Sequence, residues 1–238
     1  MLSSPPAVQN GPPDGAVVLC DGERESLSQR AYKAIRGRLV SSMLRPGHKL
    51  VLRPLAAELG LSPTPVREAL LRLVSENALE LDDRGTAIVP ILSHADFTEL
   101  CGVRGDLELR AAAAAAERAL PHEIDELERL NLRCLEAFRS GDKLTMLDNN
   151  TSFHRTVCQL ARTRLVQRML EGLWMRLGPA YALSADLAMP VIPAPEHHPH
   201  TLLINALRAR DVEAARRAAQ QDIDISDTWL GAALAEET

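Results

Sequence analysis

Four polar side chains in the C-terminal half stand where a helical pattern calls for apolar ones. Asn150 and His154 share a face with Leu147, Val157 and Ala161; His200 shares one with Leu203, Ile204 and Leu207; Asp222 lies in line with Ala215, Ala218 and Ala219. Burying such groups unpaired is costly, so they should meet one another, water or a metal. Two imidazoles with oxygen donors suit Zn²⁺, Ni²⁺ or a similar first-row divalent cation; a metal-free polar network is the alternative. The N-terminal half carries a different chemistry. Ser62 starts a helix whose first turns hold Thr64 and Arg67. The free N–H groups and dipole of such a helix start attract phosphate, and an arginine one turn in can reach guanine or the backbone of a major groove. Arg53, on the preceding helix, would flank the phosphates, and Arg84 and Gly85 sit on a turn that could approach the minor groove or backbone.

Charge separates the two halves. The chain of 238 residues has a formal net charge of -5, yet Ser26 to Ser75 holds nine cations against two anions, a local +7 that leaves -12 on the rest. A basic module on an acidic body suits a reader of double-stranded DNA with a separate regulatory domain. The 46% hydrophobic and 25% charged content is that of a soluble globular protein. No apolar run approaches the ~20 residues that span a bilayer, and the start lacks the order of a secretory signal, so no membrane partner and a cytoplasmic address are expected. Cys20, Cys101, Cys134 and Cys158 show no C-x-x-C spacing, which argues for reduced thiols rather than a zinc finger or disulfide framework.

The elements that must hold these residues are mostly helical. Residues 1–24, rich in Pro and Gly, read as a flexible arm. A helix is expected over 26–43, with Leu27, Ala31, Ile35, Leu39 and Met43 at steps of four. A short extended stretch follows at 48–52, then helices at 54–59 and 62–76, and strands at 79–81 and 87–89 around Asp82-Asp83-Arg84-Gly85. That order is a winged helix-turn-helix. From 92 onward the pattern is helical throughout, with helices at 94–119, 121–139, 142–161, 163–187, 195–209 and 211–234. Connections this short favour an antiparallel bundle. The expected architecture is therefore mainly α: an arm (1–24), a winged helix-turn-helix (25–91) and an all-helical domain (92–238).

Arg45-Pro46-Gly47, Leu55-Ala56, Gly60 and above all Ser62-Pro63-Thr64-Pro65-Val66-Arg67-Glu68-Ala69-Leu70 resemble the signature of the GntR transcription regulators over residues 26–90. By that resemblance Arg53, Thr64 and Arg67 match positions that contact operator DNA. Many members carry an arginine where this chain has Pro63. The C-terminal half, with Val103-Arg104, Leu107-Glu108, Phe153-His154-Arg155 and Ala206-Leu207-Arg208-Ala209-Arg210-Asp211, resembles the FCD ligand-binding domain of FadR-type members. Many FCD domains bind a metal with one aspartate and three histidines. His154 and His200 match two of those histidines, Asn150 falls where the aspartate is expected, and Asp222 falls where the third histidine is expected. The resemblance also turns Arg104 into the bundle, where a small carboxylate effector would sit between it and the metal; an ion pair with Glu108 is the competing use. His197 and His198 read as exposed.

The resulting expectation is a homodimeric regulator whose operator affinity responds to a small effector bound in its helical domain. Two rivals stand beside it. One is a regulator whose helical domain only dimerises; the other is a helical-bundle metalloenzyme, which H-E-x-x-H, nucleophile-elbow and phosphate-loop motifs all fail to support.

Overall fold

A computed structural model describes residues 25–184 and 192–235. The expected arm, Cys20, residues 185–187 of the fourth bundle helix and the break at Pro190 lie outside them. The N-terminal domain contains α1 (Leu27–Val40), β1 (Lys49–Leu50), α2 (Leu52–Glu58), α3 (Pro63–Ser75), β2 (Glu80–Leu81) and β3 (Ala87–Ile88). The strands form an antiparallel sheet in the order β1-β3-β2, with Leu50 opposite Ala87 and Leu81 opposite Ala87 on the other side. The expected extended stretch at 48–52 thus becomes the third strand of the wing.

The helical domain contains α4 (His94–Arg118), α5 (Pro121–Ser140), α6 (Lys143–Leu160), α7 (Arg164–Ser184), α8 (Pro199–Ala209) and α9 (Val212–Ala235). Local chemistry sets their limits. Ser93 and Asp142 cap α4 and α6 by accepting from the backbone N–H of Asp96 and Thr145. Gly141 closes α5 at φ 74°, a left-handed conformation that a glycine adopts without strain.

Two expected helices differ from the structure. The first stops at Val40 rather than at residue 43, because Ser42 turns left-handed (φ 59°) and the Met43 N–H reaches back to the Arg38 carbonyl at 3.0 Å. Met43, expected on the buried stripe, is exposed. The helix expected over 195–209 is broken at His198: a 3₁₀ turn spans Pro195–His197, and α8 begins only at Pro199. Proline biases the residue before it towards extended backbone, and His198 obeys with φ -65° and ψ 135°.

One hydrophobic core runs through both domains. Ala31, Ile35, Leu39, Val66, Leu73 and Val89 from the reader belong to the same buried cluster as Ala115, Leu127, Phe153, Leu170 and Leu207 from the bundle. No helix among the described residues is long and apolar enough to cross a membrane.

Candidate functional site

The start of α3 is built for exposure. Ser62 precedes it in extended backbone, and its hydroxyl makes no capping bond. Pro63 and Pro65 occupy the first turn, where N–H groups lack intrahelical acceptors in any case. Val66, Ala69, Leu70 and Leu73 bury one face, which turns Thr64 and Arg67 outward, and both are exposed. Arg53 on α2 and Arg84 at the wing tip are exposed as well. None of these three arginines has an ion-pair partner among the described residues. Glu76, at the far end of α3, is held by the Tyr32 hydroxyl (2.6 Å) and Arg72 Nε (3.0 Å). At the wing, Asp82 shapes the turn by accepting from the backbone N–H of Arg84 and Thr86 at 3.0 and 2.9 Å. Gly85 closes that turn at φ 74°.

The second site lies inside the bundle, where a chamber partly open to solvent is lined by side chains of α4, α6, α7 and α9. The three acid and imidazole groups expected to meet do so. Asp222 on α9 lies 3.1 Å from His154 Nε2 on α6 and 3.3 Å from His200 Nε2 on α8. One donor atom from each lies within 4.8 Å of the others. Bonds of about 2.05 Å around a tetrahedral first-row cation span edges of roughly 3.3 Å; the two distances from Asp222, one to each of its oxygens, match such an edge, and the three groups would close further around an ion. His200 is 1% exposed, and neither of its ring nitrogens has a hydrogen-bond partner; its contact with Asp222 has the distance of a hydrogen bond but not the direction. An orphaned, buried imidazole next to a carboxylate is what a ligand to a metal looks like before the metal enters. Phe153 stacks on the His200 ring at 3.8 Å and fixes its plane. Glu108 stands 3.9 Å from His154 Nδ1, near the second nitrogen that a ligating imidazole must orient. Asn150, one turn before His154, lines the same chamber.

Burial pushes the Asp222 carboxyl upward, but the His200 and His154 imidazoles outweigh it and hold the group well below the usual carboxylate range. Burial lowers the His154 pKa, but Asp222 and Glu108 together raise it, so its net shift is upward. His200 is shifted downward, chiefly by burial.

Arg104 is buried on α4 and does line the chamber. Its first partner is neither an empty space nor Glu108. Asp227 accepts from it at 2.6 Å, Ser226 at 3.2 Å, and the Tyr181 hydroxyl also accepts from it, while Glu108 is 3.9 Å from its Nε. Glu108 accepts from Trp174 Nε1 at 2.9 Å. The sequence pattern held no signal for this: Asp227 lies five residues beyond Asp222, about 140° round the helix from its face, and Tyr181 gave none. His198 corrects an expectation: it is 8% exposed, not solvent-facing. Pro199 makes it the cap of α8, where its Nδ1 accepts from the His200 N–H at 3.2 Å. Burial, then the neighbouring His200, push its pKa down to about 4. His197 is exposed as expected.

A winged helix-turn-helix with an open cationic helix start, fused to a helical bundle around a polar chamber, defines a DNA-binding regulator with an attached helical domain. Residues 27–89 match the model of the bacterial regulatory proteins of the gntR family, and residues 99–224 match the FCD domain. The chain belongs to the GntR family of transcriptional regulators, in its FadR-type branch with an FCD domain. It is 33% identical over 191 residues to the HTH-type transcriptional regulator McbR of Escherichia coli K12, covering 80% of this chain and 86% of McbR. It is 26% identical over 208 residues to the HTH-type transcriptional repressor RspR of the same organism, covering 86% and 89%. The solved structure of E. coli McbR/YncC superposes with a TM-score of 0.79 at 31% identity, over 86% of this chain and 97% of that one. Its relatives are named transcriptional regulators, and the chain is a transcriptional regulator of this family.

Proposed function

We propose that this regulator binds operator DNA as a homodimer through the α3 start and the wing, and that a small carboxylate bound with a divalent cation in the bundle sets its DNA affinity. The domain division at residue 91/92 belongs to the same reading: 25–91 reads, 92–238 senses and dimerises. In the reader, Thr64 and Arg67 enter the major groove, Ser62 and Arg53 meet phosphates, and Arg84 with Gly85 lies along the flanking backbone. Their exposure and lack of partners support this.

The observation that carries the sensor reading is Asp222 lying 3.1 and 3.3 Å from the two imidazole nitrogens. His154, His200 and Asp222 would hold Zn²⁺ or Ni²⁺, with Asn150 close enough along α6 to offer its amide oxygen. The cation supplies a Lewis-acidic position to which a carboxylate oxygen can bind. Charge favours the cation. Glu108 and Asp222 line this chamber, and the Arg104 guanidinium there is already paired with Asp227, so a carboxylate entering alone meets little uncompensated positive charge. Arg104 Nε is buried without an acceptor and is a donor left for the incoming group.

Calorimetric titration of the full chain with a panel of sugar acids and dicarboxylic acids, in Zn²⁺ and in chelator, tests this. Heat of binding is expected only with the metal present. Equal binding in chelator, or none in either, rejects the reading.

A further inference from the structure

The chamber is not enclosed by the bundle alone. Val40 and Ser42, at the end of the reader's α1, form part of its wall beside Leu177, Gly178 and Tyr181 of α7. We infer that the last turn of α1 is the element through which chamber occupancy reaches the DNA-reading helix, by sliding over α7 at Gly178. The inference rests on the chamber being the effector site and adds the route by which it acts.

Gly178 is the reason the two helices approach so closely. A Cβ at that position would lie 2.1 Å from the Leu39 carbonyl oxygen, 3.0 Å from its carbon and 3.1 Å from the Val40 oxygen. These are backbone atoms, so no side-chain rotation could relieve the overlap. The carbonyls concerned belong to a helix end, where intrahelical donors run out, and a bare α-carbon is the one surface that lets them settle against α7. One turn earlier Arg36 is tied to Glu171 of α7 at 2.9 Å, with both side chains mostly buried. The reader is thus pinned to the sensor at two points on one helix pair, and one of them borders the chamber.

From there α1 grips α3 firmly. Tyr32 holds Glu76 at 2.6 Å, Gln29 accepts from Arg72 at 3.0 Å, and the Arg72 guanidinium lies 3.8 Å over the Tyr32 ring. Ala31, Ile35 and Leu39 share a core with Val66, Ala69 and Leu73. Displacing the end of α1 therefore carries α3, with Thr64 and Arg67, as one body. That is a contiguous physical link between two sites, each of which biases the same element.

Hydrogen exchange on the full chain, with and without Zn²⁺, tests the link alongside affinity for a duplex selected from genomic DNA. In the parent, Zn²⁺ is expected to slow exchange in the segments around His154 and Asp222 and to alter it at residues 37–44. In Glu171→Gln, which touches no chamber residue, the first response stays and the second weakens. Gly178→Ala, by driving the Leu39 backbone off α7, raises exchange at 37–44 without metal and changes DNA affinity by roughly 5–150-fold, the range of coupling between linked sites. If Zn²⁺ protects the chamber segments but leaves 37–44 unchanged, the route is overturned and the metal site stands. If Zn²⁺ protects nothing, the metal reading fails, and the route then stands or falls with Gly178→Ala: unaltered DNA affinity in a folded protein overturns it. Should that variant not fold, Glu171→Gln decides by the same two readouts.

Discussion

Replacing Asp222 by asparagine removes a carboxylate that lies within 3.3 Å of both imidazoles, while leaving the volume of the side chain almost unchanged. In the account above this carboxylate is a ligand, and outer partners of metal sites already cost 10–100-fold in affinity when lost. A direct ligand should cost at least about 100-fold. At a Zn²⁺ concentration near 100 times the parent's Kd, binding stabilises the folded chain by about 2.7 kcal/mol. The variant, with its Kd near the same concentration, gains only about 0.4 kcal/mol. At roughly 2–4 °C per kcal/mol for a chain of this size, the parent's Tm should rise by about 5–11 °C and the variant's by about 1–2 °C. The assay is a thermal melt of each protein with and without Zn²⁺. The comparison is made within each variant, because loss of Asp222 also strips His154 of the group that raises its pKa and lowers the metal-free Tm. Equal Zn²⁺-induced shifts in parent and Asp222→Asn would refute the reasoning outright, since the cation would then be bound elsewhere.

Two further outcomes follow from the same geometry. His198→Asn should keep the α8 cap, since its amide oxygen can accept from the His200 N–H, and should keep the Zn²⁺ shift; loss of that shift would make His198 a ligand rather than a cap. Tyr32 is raised to about 12, first by burial and then by its bond to Glu76. A raised pKa means the folded chain keeps a proton that the unfolded chain releases, so this stability is intact below pH 10 and is lost between pH 10 and about 12. Denaturant melts across that window should show stability falling with rising pH, a fall that Tyr32→Phe abolishes.

Much of this was legible in the residues, and what was not has physical causes. The nonapeptide from Ser62 to Leu70 announces the reading helix, because prolines at a helix start and an arginine one turn in serve few other ends. The buried-stripe positions of His154, His200 and Asp222 implied their meeting, since three helices with a polar break in an apolar face must bring those breaks together. The left-handed turn at Ser42 was hidden, because serine carries no preference for it and the step of four ran on to Met43. His198 was misjudged although Pro199 held the clue: a residue before proline leaves the helix, and one at a helix start can turn inward as a cap. The hold of Asp227 and Tyr181 on Arg104, 123 and 77 positions away, and the approach of Leu39 to Gly178 across the two domains, join segments far apart in the chain, where periodicity says nothing.

The central claim is that the exposed start of α3 reads DNA, and Arg67 tests it most directly. Affinity of the parent and of Arg67→Ala for a genomically selected duplex should be measured across a range of salt concentrations. Loss of one base or phosphate contact costs ~1–3 kcal/mol, so the variant should bind roughly 5–150-fold more weakly per half-site, while its thermal melt matches the parent's. Equal affinity for that duplex at every salt concentration would contradict the account.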